Sequence, residues 1–229
     1  VGKQVHELVM IGAGALALEI ATYLSEESQP SKVAAIVDEL EGRYRDISAV
    51  LGYEPALVRD PSEIENFGDL KVLICVGDPH IRWKIQSELR PRCAGLHTLV
   101  HRSAFVAETA ELGEGVIAAP FAFVGAFADV GDNSLLNVRA TAGHDVTIGP
   151  SSVLSPHANM SGFAVCGTAG FLGAGAILDP SARLGHFSKL ASGSVLKTTA
   201  GDGFLLHGNP AQGRRMYRVP DAVMTAAPN

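Results

Sequence analysis

From Leu112 to Leu196 an apolar residue returns every six positions: Leu112, Ala118, Val124, Val130, Leu136, Ala142, Ile148, Leu154, Met160, Cys166, Leu172, Leu178, Leu184, Leu190 and Leu196. Two positions before each stands a second residue that is nearly always small, as in Ala110, Ala122, Ala128, Ser134, Ala140, Ser152, Ala158, Ala164 and Gly170. A helix needs spacings of three and four, so the pattern rejects helix. Residues two apart share one face of a strand, which makes each hexad a short strand with an aliphatic and a small residue pointing inward, followed by a corner. Such a strand cannot bury its inner face alone. Stacked coil on coil, the hexads share one core, which predicts a solenoid. A β-sandwich, with turns every 8–12 residues or so, does not hold one phase for this long; a solenoid of either hand does.

Before about residue 93 the pattern changes. Leu8–Ile11 reads as a buried strand, Gly12-Ala13-Gly14 as a tight loop, and Leu16–Leu24 as a helix with one apolar side. Val33–Val37 reads as a second strand ending at Asp38, Ser62–Phe67 as a short helix opened by Pro61, Leu70–Val76 as a third strand closed by Gly77-Asp78-Pro79, and His80–Leu89 as a further helix. Strands alternating with helices predict a small parallel α/β domain over residues 1–92, a solenoid over 93–202 and a closing tail over 203–229.

Composition sharpens this in a few places. The 229 residues carry 18 Lys and Arg against 24 Asp and Glu, a net charge of -6, with no long basic stripe, which argues against nucleic acid as a partner. The first apolar stretches are interrupted by Lys3, His6, Glu7 and Glu19, so neither a signal peptide nor a membrane span is expected. Cys75, Cys93 and Cys166 have no paired spacing and read as reduced thiols of a cytoplasmic protein. His157, His186 and His207 lack neighbours at metal-ligand spacing, so no metal is expected. Taking the outward residue before each inward aliphatic one, every third hexad gives Ile117, Leu135, Val153, Phe171 and then Lys189, an apolar ridge that suggests an interface between copies of the chain. The column Glu111, Asp129, Thr147, Val165, Arg183 suits water.

Of eight histidines, His144 alone stands in a context that suggests a base. It follows Gly143 at a corner, two residues past the inward Ala142, where a side chain leaves the core. The adjoining Asp145 either orients the ring and supports its positive charge, as a general base near neutral pH requires, or merely stabilises the corner.

The hexads resemble those of the hexapeptide-repeat acyltransferases, whose three hexads close one triangular coil of a left-handed parallel β-helix. With the α/β domain in front, the chain is similar to the sugar acetyltransferases that join a small Rossmann-like domain to such a helix. The resemblance implies left-handedness, a homotrimer with active sites between chains, acetyl-CoA as acyl donor, and a nucleotide-linked amino sugar, used in surface glycan or glycoprotein assembly, as acceptor. O-acetylation of a sugar is the alternative within the family, and a non-catalytic binding scaffold the alternative outside it.

Several residues take roles from the same resemblance. The segment from Asn137 to Asp145 is similar to the family's catalytic stretch, with an Asn seven positions before a His that is followed by an acid. It implies His144 as base in a direct attack of the amine on the thioester, with no Ser or Cys nucleophile. Asn137 either orients substrate or makes a side-chain to backbone bond at its corner. Gly162, one coil beyond His144, offers its N–H to the oxyanion or is a plain turn glycine. The first loop departs from the family's Gly-Ala-Gly-Gly-His-Ala, with Ala15 and Leu16 in place of Gly-His, yet Gly12 and Gly14 keep the phosphate cradle. Asp38 contacts the nucleoside or ends a strand, Gly77 is a backbone position in the third-strand loop, and Arg82 meets a phosphate or caps the domain surface. Gly208, Asn209 and Pro210 resemble the closing motif of the acetyl-CoA-dependent members, with Lys197, Arg214 and Arg215 as cations for the coenzyme's phosphates.

Overall fold

The structure, a computed structural model, describes residues 6–26 and 31–224. Lys3 and the outer ends of the expected first domain and tail lie outside them. Strand β1 (His6–Ile11) leads through Gly12-Ala13-Gly14 into helix α1 (Ala15–Ser25), and β2 (Ser31–Val37) into α2 (Tyr44–Leu51) and the edge strand β3 (Ala56–Val58). Strand β4 (Lys71–Ile74) precedes helix α3 (Pro79–Leu89), and β5 (Gly95–Leu96) closes a parallel sheet of order β3-β2-β1-β4-β5. The expected boundary at residue 92 therefore falls inside the first domain: Gly95 and Leu96 pair with Lys71 and Val72. The short helix expected over Ser62–Phe67 is instead two 3-10 turns, Pro61–Glu63 and Phe67–Asp69, separated where Asn66 turns left-handed at φ 56°. No helix among the described residues is long and apolar enough to cross a membrane.

From Leu99 on, two-residue strands stack into three parallel faces. The first carries Ile117, Leu135, Val153, Phe171 and Lys189 outward, the second Phe105, Phe123, Thr141, Asn159, Ile177 and Val195, the third Glu111, Asp129, Thr147, Val165, Arg183 and Thr199. Each residue pairs with the one 18 positions on, as Phe123 does with Thr141 and Thr141 with Asn159, until the last coil shortens and Arg183 meets Thr199. Inside lie the aliphatic and small residues of both hexad phases in one buried cluster. Inward serines do not break it, because Ser134, Ser152 and Ser188 donate to the carbonyls of Gly149, Gly167 and Gly201. Burial pushes the Cys166 thiol in this core, and the Cys75 thiol in the first domain, up to about 12, so both are inert at neutral pH.

The apolar ridge of the first face corrects an expectation. Ile117, Leu135 and Val153 are buried, and they pack in one cluster with Ala17, Ile20, Ala21 and Leu24 of α1. The chain's own first domain covers the ridge, so it cannot be a surface between copies.

Arg82 is the second correction. It is closed to a phosphate and caps no surface: the side chain is wholly buried at the junction of the two domains. Its Nε and Nη2 donate to the carbonyl of Asn133 at 2.9 and 2.7 Å, Nη2 also to Asn133 Oδ1 at 2.7 Å, and Nη1 to the carbonyls of Ile74 and Val76 at 2.8 and 2.9 Å. Asn133 in turn donates from Nδ2 to the Arg82 carbonyl and to Ser151 Oγ, and Ser151 donates to Gln86. Among the described residues no carboxylate pairs with this guanidinium. Burial draws its pKa down to about 10, which still leaves it charged at neutral pH.

The tail closes the solenoid as a hairpin, Phe204–Gly208 against Ala211–Arg215. It then returns to the first domain through α4 (Asp221–Met224), where Val223 packs on Phe187, Ala169 and Trp83.

Candidate active site

His144 stands at the edge between the second and third faces. Its Nδ1 lies 2.8 Å from Asp145 Oδ2, and the imidazole is 60% exposed. Asp145 occupies the left-handed corner position at φ 56°, a conformation that aspartate tolerates better than bulkier residues do. With Nδ1–H assigned to the carboxylate, Nε2 is left as the acceptor.

Gly162 sits directly against that ring. A Cβ built on it would lie 2.5 Å from both Nε2 and Cε1 of His144, so only glycine leaves the imidazole where it is. The Gly162 N–H donates to no acceptor among the described residues, whereas its carbonyl accepts from Ser181. A base and an unoccupied backbone donor thus share one exposed edge. Phe163 completes it, perpendicular to His144 with ring centroids 5.2 Å apart and 57% exposed, although it too sits at positive φ. Phe163 was not legible as part of the site: its only signal is that it lies 18 residues beyond Asp145. The Gly162→Ala variant is expected to fold, since the imidazole can swing aside, but to lose roughly 100-fold in kcat because the base is displaced; steady-state kinetics beside a thermal melt check it.

Lys197 belongs to the same edge, three 18-residue coils beyond Gly143 and so about 14 Å along the solenoid. It pairs with Asp179 at 3.6 Å. Gly208, Asn209 and Pro210 form the tip of the closing hairpin, tied to the last coil by Gly208 N–H on Ser194 Oγ. Arg215 Nε donates to the Asp202 carbonyl, and Arg214 is exposed. Asn137 stands at a different corner, between the first and second faces, where its Oδ1 accepts the Val138 N–H at 2.7 Å. Within one chain it builds its corner and does not approach His144.

In the first domain the loops after β1, β2 and β4 meet at the carboxyl ends of the strands, where the strand order reverses between β1 and β4. Gly12 has φ 99°, and a Cβ there would press on Val76 at 3.2 Å. Gly14 caps α1 without a side chain, with open space around it. Asp38 joins two loops, accepting the Ala13 N–H at 2.7 Å and the Leu40 N–H at 2.9 Å. Beside it a cavity of about 340 Å³ is lined by residues of 38–41 and 57–59. Gly77 borders Leu16 of α1.

No family model and no curated protein sequence matches the chain. Solved structures do. PerB from Caulobacter crescentus, in complex with CoA and GDP-perosamine, is 27% identical with TM-score 0.81, covering 93% of this chain and 100% of that one. A variant of perosamine N-acetyltransferase from the same organism, with the same two ligands, is 26% identical with TM-score 0.82 over 93% and 99%. The acetyltransferase domain of PglB from Neisseria gonorrhoeae FA1090, at 24% identity and TM-score 0.82 over 91% and 100%, shares the fold. The chain is therefore an acyltransferase whose N-terminal Rossmann-like domain is followed by a left-handed parallel β-helix, the fold of these acetyltransferases. It is similar to sugar N-acetyltransferases built on hexapeptide repeats.

Proposed function

We propose that the protein transfers the acetyl group of acetyl-CoA to the amine of a nucleotide-linked amino sugar, with His144 as general base. The observation that carries this is the accepting Nε2 of an Asp145-bound imidazole, set against the unoccupied N–H of Gly162. The amine nitrogen attacks the thioester carbon, and Nε2 takes the proton the amine sheds. The oxyanion forms within reach of the Gly162 N–H. When the C–S bond breaks, the imidazolium returns the proton to the departing thiolate. Asp145 holds the ring and offsets its charge while it is protonated. The coenzyme lies along the same edge toward Lys197 and the hairpin tip, with Arg214 in reach of its phosphates. The nucleotide lies in the first domain, its diphosphate at Gly12, Gly14 and Gly77 and its nucleoside in the cavity beside Asp38, whose volume suits a group of that size. The relatives solved with CoA and GDP-perosamine make a GDP-linked amino sugar the first acceptor to try. Free thiols at Cys75, Cys93 and Cys166 favour the cytoplasm.

The first domain covers the first face, while His144 stands on the opposite edge of the same prism. A sugar held in the domain's loops is thus directed to a second copy. Its wall is the second face, where Phe105 and Phe123 stack with centroids 5.1 Å apart and stay 55% and 41% exposed, with Phe127, 65% exposed, at the corner toward the third face. We place the threefold contact there. Sedimentation equilibrium is expected to give three times 23.9 kDa; a fully active monomer contradicts the shared site. For the reaction, proton NMR of the product from acetyl-CoA and a GDP-, UDP- or dTDP-linked amino sugar is expected to show an acetamide. An acetate ester in its place refutes N-acetylation.

A further inference from the structure

Lys189 breaks the apolar ridge of the first face. Four residues in that column, Ile117, Leu135, Val153 and Phe171, pack under the first domain, and the fifth is a lysine whose side chain is only 20% exposed. Its Nζ lies 2.8 Å from Asp78 Oδ2 and within 5.3 and 5.7 Å of the ring centroids of Tyr217 and Phe171, which wall in the ammonium. Asp78 follows Gly77 directly, and Gly12 sits against Cys75 and Val76, so a line of contact runs from the first glycine loop through the loop after β4 to this lysine. The other Asp78 oxygen is engaged in capping α3, accepting the N–H groups of His80 and Ile81. Nearby, His80 Nε2 is buried with no hydrogen-bond partner among the described residues, and Lys189 is the cation that the solenoid brings to this loop.

We propose that Lys189 is a positioning residue for the diphosphate of the sugar nucleotide, supplied by the solenoid to a site otherwise built by the first domain, and that Asp78 holds its ammonium ready until phosphate oxygens share it. This rests on the reading of the first domain as the nucleotide site. A lysine serves because its ammonium has three donors and can bind a carboxylate and a phosphate oxygen together. The rival role, a strut that only docks the domains, predicts that both partners of the pair matter equally and that ligand charge does not.

Calorimetry on the full chain with GDP, UDP and dTDP, each beside its nucleoside, separates the two. For whichever diphosphate binds the wild type, K189M is expected to weaken binding roughly 10- to 100-fold, the range for losing a charge-assisted contact, and to narrow the ratio of diphosphate to nucleoside affinity. K189R restores most of the loss, D78N does not weaken diphosphate binding, and acetyl-CoA affinity is unchanged in all three. K189Q replaces K189M if the latter falls below the wild-type melting temperature. An unchanged affinity ratio in the lysine variants, or a loss in D78N as large as in K189M, overturns the proposal. Failure of all three diphosphates to bind the wild type instead overturns the nucleotide reading, and this role with it.

Discussion

His144→Ala is expected to lower kcat by roughly 100- to 10,000-fold, the usual range for removing an acid–base group, with the melting temperature unchanged. The imidazole is 60% exposed and its side-chain hydrogen bond is to the neighbouring Asp145, so the coil loses little beyond the edge contact with the exposed Phe163 when it goes. What is lost is the imidazole nitrogen that accepts the amine's proton. Asp145→Asn should cost less, since an amide at the same place still bonds the ring but no longer offsets its charge. A larger loss in the aspartate variant than in the histidine variant would mean that the roles are reversed.

Arg82→Met is expected to act on stability and to cost on the order of 4 kcal/mol, because it leaves the carbonyls of Ile74, Val76 and Asn133 and the Asn133 side-chain oxygen without their donor in a dry junction. In a chain of this length that corresponds to a fall in Tm on the order of 10 °C. Arg82→Lys should recover little, since an ammonium cannot reproduce a planar fork that reaches three backbone carbonyls and a side-chain amide at once. Scanning calorimetry of the two variants checks this, and a wild-type Tm in Arg82→Met would show that the junction is held by the apolar ridge alone. The same junction explains why cutting the chain at residue 92 would not yield a clean solenoid: it would uncover Ile117, Leu135 and Val153 and remove the guanidinium from Asn133.

The solenoid was legible because its period of six is repeated until composition leaves no other reading, and the register even extends back from Leu112 through Val106 to Val100. His144 and Asp145 were legible because they are adjacent in sequence, and so needed no knowledge of packing to be paired. The ridge was legible as apolar but not as covered. Periodicity reports which side chains point outward and carries no information about a domain 100 residues away that folds back on them. Arg82 failed for the same reason: its partner Asn133 is 51 residues distant, and a lone arginine near a glycine loop reads as a phosphate ligand. Helix α2 and strand β3 went unread because they offer little pattern. Only Ile47 and Ser48 of the helix are buried, and β3 is a three-residue edge.

The central claim is that acetyl-CoA is consumed at His144 when, and only when, a nucleotide-linked amino sugar is present. Continuous measurement of thiol release from acetyl-CoA, across GDP-, UDP- and dTDP-linked amino sugars with wild type and His144→Ala side by side, tests it most directly. The expected result is acceptor-dependent release of one thiol per acetamide formed with at least one of the sugars, nearly abolished in the variant. Acceptor-dependent release that is equal in wild type and variant, or no release with any of the three, would contradict it.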